Sequence, residues 1–255
     1  LELQFNDLPL DEIEEILSSR CKIAPSFARR IAQVYRILQE RRSTAATNIF
    51  AGKHALITLR DCFRWAERHS HSAVGSTKEL AQDGYFVLAE RCRHPEEAQF
   101  IRTTLEKVCK TELDSDFEMY DLQKLCSDRG WTEDMAKLQE VETLAHQLKI
   151  TWTKPIRRLF TLVYLCIRFR EPVILVGETG CGKTTVCQLL ARILERSLRI
   201  VNCHANSESG DFLGSFRPIR SEEEEEEEIE SSSRKLFQWA DGPLVEAMSQ
   251  GDLFL

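Results

Sequence analysis

What this 255-residue chain lacks sets the first bounds. It has no run of the ~20 consecutive apolar residues that a bilayer-spanning helix needs. Its most apolar helical pattern, 156–169, is short and carries Arg157, Arg158 and Arg168, so no membrane contact is expected. The N-terminus shows no basic stretch leading into an apolar core, so no signal peptide is expected. The nine cysteines form no C-x-x-C pair and no extracellular spacing pattern, and Cys203-His204 has no companions at zinc-ligand spacing. They read as buried or free thiols of a reducing compartment, and the chain as a soluble intracellular protein. An excess of positive charge is also missing: 34 Lys and Arg face 41 Asp and Glu, a formal charge of -7. That balance argues against general nucleic-acid affinity, and no sequence-specific nucleic-acid binding is expected.

The acidity that is present is concentrated. Glu222 to Glu228 is an unbroken run of seven carboxylates, and without it the chain is neutral. Seven adjacent like charges resist packing, so this tip is expected to be disordered and solvated, or else to be an acidic contact for a basic partner. With 42% hydrophobic residues, the chain is long enough for one large domain or two ordinary ones.

The first 115 residues read as almost entirely helical. Pro9 precedes an acidic helix, and Pro25 opens a second whose Phe27, Ile31, Val34, Tyr35 and Leu38 recur at helical spacing. Thr58 followed by Asp61 resembles a capping box for a third. Residues 78–93 and 96–113 give two more, separated by His94-Pro95, because proline fixes φ and lacks an N–H. Residues 113–131 are mixed and turn-rich and read as a linker, 131–150 as one helix, and 155–170 as a basic, apolar helix ending at Glu171-Pro172. The pattern then alternates: strand 173–176, helix 183–195, strand Leu198–Asn202, helix 244–249 and the apolar start Leu253, Phe254, Leu255. Alternation predicts an α/β fold, a parallel sheet covered by helices, with ligands at the carboxyl ends of the strands. Between the second strand and the last helix, 211–214 reads as a helix or turn and 217–220 as a strand edge paired with 236–239 in a hairpin.

The chemistry lies in Gly177 to Thr184, GETGCGKT, after Val173, Ile174, Leu175 and Val176 and before a helix-forming run. Its spacing, G-x-x-x-x-G-K followed by Ser or Thr, is that of a phosphate loop. Glycines let successive amide N–H groups turn into one hollow for phosphate oxygens, and the helix N-terminus adds its dipole. The expected nucleotide-binding residues are Gly177, Glu178, Thr179, Gly180, Cys181, Gly182, Lys183, Thr184 and Thr185. Lys183 would reach the β- and γ-phosphates, and the Thr184 hydroxyl would be a Mg²⁺ ligand, with ATP and Mg²⁺ as cofactors. Cys181 offers phosphate only its backbone N–H.

Three longer stretches, EPVILVGETGCGKTTVCQLLA, VNCHANSESGDFLGSFRPIR and LFQWADGPLVEAMSQGDLFL, resemble an AAA+ module of the midasin family, dynein-related ATPases of large-ribosomal-subunit assembly. LPLDEIEEILSSRCKIAPSFARRIAQVYRILQERR and FAGKHALITLRDCFRWAER resemble the helical lid that ends a preceding module. The resemblance implies a P-loop AAA+ parallel sheet with flanking helices, preceded by an all-helical lid subdomain. Its parts are the lid at 1–115, a linker and connecting helix at 116–154, and an incomplete nucleotide-binding subdomain at 155–255 with an acidic insertion near 221–233. It further implies a ring of adjacent AAA+ modules that removes assembly factors from the pre-60S ribosomal particle, in the nucleolus and nucleoplasm of the nucleus. Arg60 stands where the family's sensor-2 arginine contacts the γ-phosphate of the preceding module's nucleotide; a surface ion pair at a helix start is the plainer reading. Asn202 and Asp211 fall near the family's nucleotide pocket or module interface, or serve as loop and cap residues. The Asp-Glu pair that holds Mg²⁺ and polarises water in this family, and the arginine finger, do not occur in this sequence. Asp252 begins its strand and is no substitute. A chain of this extent is therefore expected to bind nucleotide weakly and hydrolyse it near background. The alternatives are a non-hydrolysing scaffold fragment and, less well matched because the lid precedes the α/β part, a small-molecule kinase.

Overall fold

The computed structural model describes residues 8–44, 57–72, 75–92, 94–218 and 237–255. The acidic run, the serines 231–233 and the segment 51–56 before the third helix lie outside the described residues. The chain forms two compact units, Leu1–Gln139 with Thr153–Val173, and Glu140–Trp152 with Ile174–Leu255.

The first unit is helical. Helices α1 (Leu10–Cys21) and α2 (Pro25–Thr44) pack on each other, and α1 ends at Lys22 in the left-handed conformation. Helix α3 (Leu59–Ser70) starts as its sequence predicts: the Asp61 carboxylate accepts hydrogen bonds from the Thr58 N–H at 2.8 Å and hydroxyl at 3.0 Å. Helix α4 (Thr77–Gly84) runs into a π-helical turn, Tyr85–Ala89, and α5 (Pro95–Cys109) begins at the expected His94-Pro95 break. The core is filled by Leu17, Ile31, Trp65, Leu80, Ile101 and Leu105, and the Trp65 indole N–H donates to the Leu80 carbonyl at 2.7 Å.

The stretch read as a linker is folded. Helices α6 (Asp116–Met119) and α7 (Leu122–Asp128) bury Met119, Leu122, Leu125 and Cys126, and α8 (Thr132–Leu138) follows. Asp121 caps α7 by accepting from the N–H groups of Gln123 and Lys124. The single helix expected over 131–150 is two, because the chain breaks at Gln139-Glu140 and α9 (Val141–Gln147) belongs to the second unit. Helix α10 (Lys154–Arg168) packs in the first unit, with the Thr161 hydroxyl donating to the Tyr120 carbonyl at 3.0 Å.

Charged groups are buried in this unit. Arg129 and Asp83 are fully enclosed, with Nη1 2.8 Å from Oδ1 but off the hydrogen-bonding direction, so their attraction is ionic. The Asp83 carboxylate also lies 4.0 Å from Nδ1 of buried His69, whose ring packs edge-on against Phe27. Burial lowers the His69 pKa from its ordinary 6.5; the attraction of Asp83 and Glu79 for a proton opposes this, and Arg129 adds to it. A histidine depressed in the folded state contributes stability that is present above its unfolded pKa and is lost as pH falls. The first unit is therefore expected to melt at a lower temperature at pH 5.5 than at pH 7.5, and His69→Gln should flatten that slope. An unchanged slope in the variant would assign the acid sensitivity to other groups.

The second unit holds α11 (Lys183–Ile193), β1 (Leu198–Arg199), α12 (Ser209–Leu213), β2 (Gly214–Pro218), β3 (Phe237–Asp241), α13 (Pro243–Gln250) and β4 (Leu253–Phe254). Strands β1 and β4 pair in parallel, Leu198 opposite Leu253, and the ladder continues through Val201 N–H to the Leu255 carbonyl at 2.9 Å. Strands β2 and β3 form the expected antiparallel hairpin, Phe216 opposite Trp239. One expected strand is absent. Residues 173–176 form no strand, with Ile174 88% and Val176 87% exposed. β-Branched residues favour a strand only where neighbours complete its hydrogen bonds and cover its faces, and among the described residues no strand does so for this run.

Candidate nucleotide site

The loop after residue 176 has the backbone its glycines predict. Gly180 and Gly182 both sit at φ +87°, where a side chain would be strained, and Gly182 is the N-cap residue from which α11 springs. The Val186 N–H donates to the Gly182 carbonyl at 3.0 Å, closing the first helical turn. That leaves the earlier N–H groups of α11 without intrahelical partners, at the positive end of an 11-residue helix.

Lys183 folds back over the loop. Its ammonium donates to the carbonyls of Gly177 and Glu178, both at 2.8 Å, and lies 3.5 Å from the Cys181 sulfur. The one mobile cation of the loop is thus held where the loop curls, and an incoming phosphate would compete with two carbonyls for it. Thr184 is exposed on the first turn of α11, a position that fits a hydroxyl ligand to Mg²⁺. Thr185 points elsewhere: it lines a cleft of about 560 Å³ with Leu148, Gln188 and Leu198. Thr179 and Glu178 are exposed in the loop.

The remaining candidates separate into structural and solvent-facing groups. Asp211 accepts from the Glu208 N–H at 2.9 Å and so caps α12. Asp252 is bound by Arg199 at 2.9 Å, and the same guanidinium contacts Glu246 and Gln250, so this carboxylate clamps β1 to α13 and β4. Asn202 is exposed beyond β1. In the first unit, Arg60 is exposed at the start of α3 and makes no ion pair among the described residues. No group of three or more metal-ligating side chains occurs among the described residues, and none of the nine cysteines is in a disulfide.

No local spacing points to the Arg68–Glu171 pair, whose members are 103 residues apart. Arg68 holds both carboxylate oxygens of Glu171, at 2.9 and 2.6 Å, and its plane lies over the Phe169 ring. The residue before Pro172 is thereby fastened to α3.

Comparison with known proteins decides the family. Residues 12–112 match the family described as Midasin AAA lid domain, and residues 172–255 match the AAA domain of the dynein-related subfamily. Midasin from Dictyostelium discoideum is 35% identical over 326 residues, covering 100% of this chain and 5% of that protein. The chain belongs to the midasin family. Midasin from Giardia intestinalis is 28% identical over 296 residues, 99% of this chain and 6% of its own length. The denitrification regulatory protein NirQ of Pseudomonas aeruginosa is 37% identical over 82 residues, 32% of this chain and 26% of that protein. The chain thus spans about a twentieth of the midasins it matches, and within that span it carries a lid followed by an AAA+ ATPase module of α/β class. No described helix is long and apolar enough to cross a membrane.

Proposed function

We propose that Gly177, Glu178, Thr179, Gly180, Cys181, Gly182, Lys183, Thr184 and Thr185 bind the phosphates of ATP. In this reading Lys183 engages the β- and γ-phosphates and Thr184 supplies a hydroxyl to Mg²⁺, which would neutralise phosphate charge when bound. One observation carries the reading: a loop with two glycines at positive φ delivers the lysine ammonium and a helix N-terminus to the same few ångströms. Thr185 belongs to the loop's helix more than to its hollow, and its part is the smallest. The lid at 1–115 with the connecting residues 116–154 serves a preceding module, to whose γ-phosphate Arg60 presents its guanidinium. The nucleotide-binding half is 155–255.

The wider role is proposed on the midasin match: one of several AAA+ modules in a ring that uses ATP to remove assembly factors from pre-60S particles in the nucleolus and nucleoplasm.

Cysteine chemistry tests the site directly. Cys181 and Cys203 are exposed, whereas burial pushes the thiols of Cys92, Cys109 and Cys126 up to about 11 and keeps them protonated. Alkylation by a maleimide should therefore mark Cys181 and Cys203. MgATP at about ten times its Kd is expected to slow labelling of Cys181 about tenfold and to leave Cys203 unchanged. Equal labelling of Cys181 with and without nucleotide would sink the reading.

A further inference from the structure

The first unit contains a cavity of about 600 Å³ that nucleotide binding does not use. The π-helical turn borders it. The Glu90 N–H donates to the Tyr85 carbonyl at 3.3 Å, reaching back one residue further than in an α-helix, and Tyr85, Ala89 and Glu90 all line the space. Two more rings join the lining: Tyr120, which is buried, and Phe117 of α6, which is 56% exposed. A space of this size, part apolar and part polar, suits a few residues of peptide or a molecule of like bulk.

The charges around it do not cancel. Lys154, Arg157 and Arg158 line the cavity against two carboxylates, Glu90 and Asp116. Glu90 has a side chain only 6% exposed and is engaged at both oxygens, accepting from the Tyr120 hydroxyl and from the Arg158 guanidinium. Asp116 is held by Arg102, from outside the cavity, at 2.9 Å. The balance is positive. These cations also sit where a helix least favours them, at the start of α10, whose first turn has no acidic residue and no side-chain cap. Local conflicts of this kind concentrate at functional sites, where a ligand of opposite sign relieves them.

The lining narrows the occupant further. The Arg157 guanidinium lies 4.6 Å from the centroid of the Phe117 ring, so cation and ring form one contact surface. Tyrosine, phenylalanine and arginine together are the composition of protein-binding surfaces. A nucleic-acid backbone carries a charge at every residue and is matched by a stripe of cations. Here the three cations lie within five residues of one helix, enough for one or two carboxylates.

We propose that this cavity is a docking site for a polypeptide segment of a partner in which one aromatic side chain is flanked by carboxylates, independent of nucleotide binding. The ring packs with Tyr85, Phe117 and Tyr120, and the acids meet Lys154 and Arg157. The test is fluorescence anisotropy of a fluorescein-labelled peptide of about nine residues, a central Phe flanked by Asp and then by Gly and Ser, titrated with the intact chain. A Kd below about 100 μM is expected, and a weaker one would overturn the proposal. Lys154→Glu should weaken binding about tenfold. An acid in that first turn suits the α10 dipole, so this variant should melt no lower than the parent and its loss belongs to the site. Phe117→Ala, at an exposed position, should cost about fivefold, as should Ala in place of the peptide's Phe. Lys137→Glu makes the same charge change on α8, outside the lining, and should leave affinity within about twofold. Unchanged affinity in Lys154→Glu and Phe117→Ala, or an equal loss in Lys137→Glu, would overturn the proposal. Tighter binding of poly(U) than of the peptide would overturn it in favour of nucleic acid.

Discussion

Lys183→Ala is expected to weaken binding of a fluorescent ATP analogue about 100-fold, the size of losing charge-assisted hydrogen bonds to two phosphates. The ammonium is the loop's only side-chain cation, and its present partners are main-chain carbonyls 2.8 Å away. Fold stability should change little, because the side chain lies on the surface of the loop rather than in the core. Titration of the variant beside the parent, with a melting curve for each, separates loss of site from loss of fold. Affinity within a few-fold of the parent would remove Lys183 from the phosphate site. Lys183→Arg should recover only part of the binding, since a planar fork does not replace a compact ammonium in a tight loop.

The second large effect is expected in the first unit. Arg129→Met should cost about 3–5 kcal/mol of stability, measured by urea denaturation, because it leaves the fully enclosed Asp83 carboxylate without a counter-charge. The loss should be mostly repaired by adding Asp83→Leu, since two apolar groups satisfy one another where one charge cannot. A double variant no more stable than Arg129→Met alone would show that the site needs its shape rather than its charge balance. His69 sits against the same carboxylate, whose attraction for a proton opposes the depression of its pKa and outweighs the repulsion of Arg129, so the repaired double variant should be somewhat more acid-sensitive than the parent.

What could be read from the sequence was what is decided locally. The start of α3 at Thr58 and Asp61, the break at His94-Pro95 and the loop conformation at Gly180 and Gly182 each depend on a few adjacent residues, and each is found. The hairpin followed from two strand-prone segments flanking a polar connection, and its register adds what sequence did not supply, the gathering of Phe216, Phe237 and Trp239 on one face. Pairing over long separations was not legible. Val173 to Val176 has the composition of a buried strand, yet a strand is a property of its neighbours, and the run is exposed. The residues 113–131 read as a linker because they are mixed and turn-rich; Met119, Leu122, Leu125 and Cys126 nevertheless suffice to bury two short helices. Nothing marks Gln139-Glu140 as a break, since neither Gly nor Pro occurs there, and it lies at the border of the two compact units. His69, Asp83 and Arg129 are likewise brought together only by packing.

The grip of Arg68 on Glu171 has a mechanical meaning. A load applied to the chain at residue 174 travels back through Val173 and Pro172 and reaches a carboxylate whose two oxygens are both held by one guanidinium. It is then borne by α3, which is itself pinned by Trp65 through its indole N–H and its buried ring. The last turn of α10, closed by Glu171 N–H on the Cys166 carbonyl at 2.8 Å, is spared from unwinding first. Force entering there is spread into the middle of the helical unit, as through a strut, and not peeled off its edge.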